Sequence, residues 1–274
     1  MADEVRAPRV LCIAGTDPSG GAGLLADVKA VAAMGGYGMG AVTAVTVQNT
    51  VGVTGVHAVP PETVIAQLDA VADDVVIDAV KIGMLGEAGL VEAVGDWLRR
   101  RRPPHVVLDP VMVATTGGRL ASEDAARMLR DLVPLADLVT PNVPELAVLC
   151  GETSATDIET IVGQAELVHE QTGCAVLATT GDLEDGSAED VLVETEGDRR
   201  TTLRLPFVRV DTPHTHGTGC SLSSALATAR VGAQDWETAY RRVRPWMDGA
   251  LHGGLALGVG QGSGPLDHTW FLHR

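Results

Sequence analysis

Hydrophobic residues fall along the chain in short continuous runs, separated by longer stretches in which apolar positions recur at helical spacing. The runs at 9–14, 41–48, 77–81, 105–109, 138–140 and 175–178 are built from Val, Ile, Leu and Ala and predict buried strands. Between them, 22–34, 62–72, 87–102, 122–132 and 157–171 predict helices. Strand and helix in alternation imply parallel strands joined by crossover helices, an α/β architecture. The rhythm changes near residue 186, where 190–194 and 201–205 predict two strands around a polar turn at 196–198, an antiparallel edge. Helix returns after Gly219 and over 236–253, and the glycine-rich stretch 253–264 predicts a loop. There is no internal repeat or low-complexity linker, so residues 1–274 are expected to form a single domain.

Composition narrows this picture. Hydrophobic residues make up 45% of the 274 positions but aromatics only 3%, so the core must be aliphatic, which suits parallel strands. A formal net charge of −16 sets up a field that repels nucleic acid and anionic membranes, and neither is expected as a partner. Lys29 and Lys81 are the only lysines, so a phosphorylated ligand has to be held by local devices. Cys12, Cys150, Cys174 and Cys220 form no CxxC pair, which points away from a zinc site or disulfide framework and toward a reducing, cytoplasmic setting. No apolar run approaches the roughly 18 residues of a membrane span.

The most informative string is THGTGCSLSSALATA at 215–229, in which Gly217 and Gly219 open onto a helix of small residues. Glycines let the main chain turn its N–H groups toward one point, and the helix adds the positive end of its dipole, together an anion hole. A tight turn packing a small-residue helix on a sheet is the other reading of the same string. Cys220 falls in the first helical turn, where a thiol is expected to favour the thiolate.

Three more stretches follow predicted strands. AGTDPSGGAG at 14–23 is a glycine-rich strand-to-helix turn that lacks both the P-loop and the dinucleotide GxGxxG pattern; it suits either ligand binding or a structural turn. Asp109 emerges where 106–108 ends, facing hydrated Mg²⁺ or a phosphate, or else closing the strand with an Asp-Pro turn. In TPNVPE at 140–145, Asn142 and Glu145 suit hydrated Mg²⁺, or alternatively a helix cap in which Glu145 completes a capping box.

Together these strings, with GYGMGAVTAVTVQNT at 36–50, VKIGML at 80–85, VVLDPVMVA at 106–114 and GPLDH at 264–268, resemble the ribokinase superfamily. They are most similar to its hydroxymethylpyrimidine and phosphomethylpyrimidine kinases of thiamine biosynthesis. The resemblance implies a three-layer α/β/α fold with a mostly parallel sheet and a small β flap near 45–59 that packs on a second subunit as a homodimer. It implies ATP and Mg²⁺ as cofactors and phosphorylation of a pyrimidine alcohol, then of its monophosphate. Ala22, Asp27, Gln48, Met84, Val111 and Cys220 would surround the pyrimidine, with the Gln48 amide reading the aminopyrimidine edge. Asn142 and Glu145 match the family's magnesium-organising element, Asp109 its acidic position near the phosphates. Thr179, Gly181 and Thr218 would lie on the nucleotide, and the amides of Gly217 to Cys220 would stabilise the transferred phosphoryl group.

Two positions depart from the family pattern. Typical members carry a lysine after DPVM and another after the strand ending near 178, where this chain has Thr115 and Thr179. Threonine hydrogen-bonds a phosphate but cannot neutralise it, which shifts that task toward Arg119. Related pyridoxal kinases share the fold, so a vitamin B6 substrate is the nearest alternative; a weakly catalytic pyrimidine-binding regulator is a further one.

Overall fold

The computed structural model describes residues 6–112, 123–181, 183 and 188–273. Its central sheet holds eight strands. They are β1 (Arg9–Ala14), β2 (Tyr37–Val42), β5 (Ala79–Ile82), β6 (Val106–Leu108), β7 (Leu138–Val139), β8 (Ala175–Ala178), β9 (Glu189–Glu196) and β10 (Arg199–Pro206). The spatial order is β10-β9-β8-β7-β6-β5-β1-β2, parallel from β8 to β2 and antiparallel at the β8–β9 and β9–β10 edge. The alternating pattern and its break near residue 186 therefore read as expected. The run at 41–48 divides differently: its first residues end β2, while β3 (Ala44–Gln48) pairs with β4 (Val53–Ala58) in a separate antiparallel flap.

Strand parity sorts the core into two layers. Leu11, Ile13, Val80, Ile82, Val106, Leu108 and Val176 point to one face, covered by α2 (Pro61–Asp74), α3 (Ala88–Arg101), α4 (Glu123–Leu132), α5 (Val143–Cys150) and α6 (Ile158–Thr172). Val10, Cys12, Ala79, Val107, Leu138 and Leu177 point to the other, covered by α1 (Gly23–Ala33), α7 (Thr218–Arg230) and α8 (Trp236–Leu257). The second face is built for close approach. Ala225, Ala227 and Ala229 of α7 are buried in one cluster with Ala30 of α1, and α7 packs on α1, α8, β1, β5 and β6, in the middle of the layer.

Helix α8 runs past residue 253 into the stretch expected as loop. Its glycines serve packing: a Cβ on Gly249 would fall 2.2 Å from the Trp270 ring, and one on Gly253 2.8 Å from Asp267 Cβ. They let the C-terminal segment lie flat on the helix.

Buried charge interrupts the second face in the middle of the sheet. Lys81, in the middle of β5, is fully buried; its ammonium bonds Asp27 Oδ1 of α1 at 2.7 Å and stands 3.6 Å from Asp109 Oδ2 at the end of β6. Ser224 Oγ of α7 donates to Asp27 Oδ1 and Ser223 Oγ to Asp109 Oδ2. Burial opposes the charge on Lys81, but Asp27, with Asp109, raises its affinity for the proton, so it stays an ammonium. Burial pushes both carboxyls up, Lys81 pulls each back, and the Asp27 charge raises Asp109 further. Removing the cation leaves two buried carboxyls without a counterion, so Lys81→Met is expected to cost about 3–5 kcal/mol in a urea titration. A loss below about 1 kcal/mol would show that this cluster does not tie the layers together.

Candidate active site

The strands of a parallel sheet end along one edge, and the loops that leave them there surround a common cavity. Here it has a volume of about 640 Å³ and is lined from the ends of β1, β5, β6, β7 and β8, by the flap, and by the start of α7. Ala22, Gln48, Met84, Val111, Asp109, Asn142, Glu145, Thr179, Gly181, Gly217, Thr218, Gly219 and Cys220 all reach it. Thr115 and Arg119 lie outside the described residues.

At one end, the flap brings Gln48 over the β1 loop. Thr46 N–H donates to Thr16 Oγ1, Thr46 Oγ1 donates to the Thr16 carbonyl, and the β3–β4 ladder shifts register between Val47 and Gln48. Such an irregularity re-aims a side chain, and Gln48 turns half-buried into the cavity opposite Met84 and Val111. Asp27, expected against the ligand, is corrected by the structure: it does not line the cavity but lies beneath it, paired with Lys81. The family resemblance implied contact; the helical period turns it to the core instead.

At the other end, α7 begins without a side-chain cap. Thr218 N–H turns back to the Thr215 carbonyl and Ser221 N–H bonds Gly217 O, so the amides of Gly219 and Cys220 are the first-turn donors left for an anion. The two glycines differ in role. Gly217 has φ 82°, and a Cβ there would lie 1.9 Å from the Gly21 carbonyl. Gly219 needs no unusual φ; a Cβ there would stand 3.8 Å from Asp109 Oδ1, inside the space facing that carboxyl.

Cys220 differs from the expected thiolate. Burial pushes its thiol up to about 12 against the pull of Lys81, with Asp27 and Asp109 adding to the rise, so the dipole of α7 does not prevail. Asn142 caps α5: its side chain accepts from Glu145 N–H at 2.9 Å while Glu145 Oε2 accepts from Asn142 N–H at 3.0 Å. The capping-box reading is therefore realised, with Glu145 still on the cavity wall.

Several lining residues had no signal in the sequence. His216, left without a role beside the glycine turn, is buried and bonds Asp17 Oδ2 through Nε2 at 2.8 Å. Burial opposes ionisation of Asp17, but donors from His216, Ser19 and Ala22 hold it at about 2. Arg209 donates to the carbonyls of Gly181 and Leu183, and Arg244 lies 4.1 Å over the Phe207 ring and 3.8 Å from Asp190. These two arginines line the same cavity as Thr179. Only the fold brings positions 181, 209 and 244 together.

Two outcomes follow. Gly217→Ala meets both a backbone collision and a forbidden φ, and should abolish ligand binding or lower stability by several kcal/mol; normal binding and melting would contradict the geometry. With a thiol raised to about 12, iodoacetamide at pH 8 should label Cys220 more than ten times slower than free cysteine, read by peptide mass. A rate equal to free cysteine would restore the thiolate.

A family model described as phosphomethylpyrimidine kinase matches residues 17–267. The thiamine biosynthesis multifunctional protein ThiED of Corynebacterium efficiens is 48% identical over 98% of this chain, which spans only 36% of that protein's length. The hydroxymethylpyrimidine/phosphomethylpyrimidine kinase of Salmonella typhimurium is 44% identical, with 94% of this chain and 96% of that one aligned. Among solved structures, an ADP complex of Bacillus subtilis pyridoxal kinase superposes with a TM-score of 0.86 at 29% identity, covering 98% of this chain and 100% of the other. The family match over nearly the whole chain, on a ribokinase-like sheet whose strand ends converge on one cavity, establishes that this protein belongs to the phosphomethylpyrimidine kinase family.

Proposed function

We propose that the chain is one kinase domain that transfers the γ-phosphoryl group of ATP to the hydroxyl of 4-amino-5-hydroxymethyl-2-methylpyrimidine, and then to the resulting monophosphate, in thiamine biosynthesis. One observation carries the reading: a single cavity joins an amide reader between apolar walls, Gln48 with Met84 and Val111, to the uncapped start of α7. The relatives bearing both activities in their names align over nearly all of this chain.

The site's donors suit Mg²⁺. Asp109 and Glu145 offer carboxylate oxygens, and Thr140 Oγ1 is a buried oxygen without a partner among the described residues, so the set is all oxygen. Asp109 and Glu145 would hold the ion through its waters, with Asn142 fixing Glu145; when bound, Mg²⁺ neutralises phosphate charge. The remaining work falls to the chain's own groups. Phosphoryl transfer needs positioning and charge stabilisation more than covalent help. The Gly219 and Cys220 amides would hold the transferred oxygens, and Arg209 and Arg244 bring positive charge to the nucleotide end. Cys220, as a neutral thiol, would line the pocket beside the reacting hydroxyl.

A cytoplasmic homodimer completes the reading. No helix among the described residues is long and apolar enough to cross a membrane. Val45 and Val47 stand exposed on one face of the flap, an apolar surface suited to a second copy.

The decisive assay incubates the protein with MgATP and the aminopyrimidine alcohol, with pyridoxal in parallel, and follows product mass. Successive additions of one and two phosphoryl groups to the pyrimidine are expected. Phosphorylation of pyridoxal alone would favour the vitamin B6 alternative, and pyrimidine binding without product the regulatory one. Gln48→Ala should raise KM for the pyrimidine at least ten-fold with a smaller change in kcat; an unchanged KM would remove Gln48 from the substrate edge.

A further inference from the structure

Gln48 does not sit in the cavity alone. Gln48 Nε2 lies 3.5 Å from His216 Nε2, and Gln48 Oε1 lies 3.4 Å from Thr46 Oγ1. An amide has two ends of the same shape and opposite chemistry, so its orientation is settled by what its neighbours can donate or accept.

Both neighbours are committed. Asp17 Oδ1 accepts from Ser19 N–H at 2.9 Å and Ser19 Oγ at 2.7 Å; Oδ2 accepts from Ala22 N–H at 2.9 Å and from His216 Nε2 at 2.8 Å. A carboxylate saturated with donors requires the hydrogen on His216 Nε2. The other ring nitrogen, Nδ1, is buried and has no partner among the described residues, which fits a bare lone pair there. On the opposite side, the single hydroxyl hydrogen of Thr46 is spent on the Thr16 carbonyl at 2.7 Å, leaving Thr46 Oγ1 able only to accept.

A half turn of the amide about its Cγ–Cδ bond answers both constraints. Its oxygen then faces His216 Nε2–H, whose one hydrogen points chiefly at Asp17 2.8 Å away and is shared only weakly with Gln48 at 3.5 Å, and its nitrogen donates to Thr46 Oγ1. The opposite orientation sets two donors face to face at His216 and two acceptors at Thr46. One oxygen lone pair and one N–H of Gln48 remain, in fixed order: acceptor on the His216 side, donor on the Thr46 side.

We propose that Asp17 and His216 are positioning residues that lock the polarity of the Gln48 amide, so that the site selects an aminopyrimidine edge over its oxo counterpart. This rests on the pyrimidine-kinase reading above. An amino group beside a ring nitrogen offers a donor next to an acceptor, which complements the locked order. The 4-oxo ring offers a carbonyl beside a ring N–H, the reverse order. Turning that ring over to restore the match carries its hydroxymethyl group away from the start of α7. Asp17 and His216 act through Gln48 and need no contact with the ligand.

The test compares kcat/KM for 4-amino-5-hydroxymethyl-2-methylpyrimidine with that for its 4-oxo analogue. The wild type should prefer the amino compound; Asp17→Asn and His216→Gln should each narrow that preference at least ten-fold, mainly through KM. In a Gln48→Ala background the same substitutions should narrow it no further. A preference unchanged by His216→Gln but lost in Gln48→Ala, or an equal effect in both backgrounds, would overturn the lock while leaving the kinase reading intact. Absence of any phosphorylated pyrimidine in the wild type would instead overturn that reading. Should the variants fail to fold, 15N NMR of the wild-type histidines decides: a hydrogen on His216 Nε2 supports the lock and a lone pair there refutes it.

Discussion

One buried ammonium, that of Lys81, ties together the elements that floor the cavity. Lys81 holds Asp27 of α1 at 2.7 Å and faces Asp109 of the β6 loop at 3.6 Å, while Ser223 and Ser224 of α7 close the same network. A buried cation is tolerable only with its counterions in place, so β5, α1, β6 and α7 are bound to one relative arrangement. That arrangement sets the start of α7 beside Asp109. Cys220 lies beside the same network, and burial keeps its thiol neutral against the pull of Lys81.

The layers of the fold were legible because hydrophobic period is a local property. Strands buried on both faces read as continuous aliphatic runs, and β1 and β8 emerge at 9–14 and 175–178 as expected. What the period does not encode is which sheet a residue joins. Thr43 separates β2 from β3 within one apolar run, and only the pairing partners, β1 for one and β4 for the other, distinguish them. Likewise the glycines at 253 and 254 look like loop until the C-terminal segment that needs their bare surface is in place.

The site was legible wherever chemistry follows a strand end, because those ends converge in any parallel sheet. Asp109, Asn142, Thr179 and the turn before α7 all reach one cavity. Asp27, carried to the ligand by the family resemblance, lies instead in the core with Lys81, because a matching motif does not fix which way a helical side chain turns. Asp17 and His216 lie 199 positions apart and had no shared motif; their bond exists only where the two glycine loops touch. The arginines at 209 and 244 were hidden for the same reason, and they bring charge to the same cavity as Thr179.

The proposed roles divide the labour along one cavity: Gln48 at the flap would read the substrate edge, the start of α7 would hold the anion, and the buried charge cluster lies beneath them. The most direct measurement is a crystal structure with the aminopyrimidine alcohol and a non-hydrolysable ATP analogue. The account predicts the ring edge on Gln48, the hydroxyl directed at the Gly219 and Cys220 amides, and the terminal phosphate between them and Thr179. A ring bound elsewhere, or a hydroxyl turned away from α7, would contradict it.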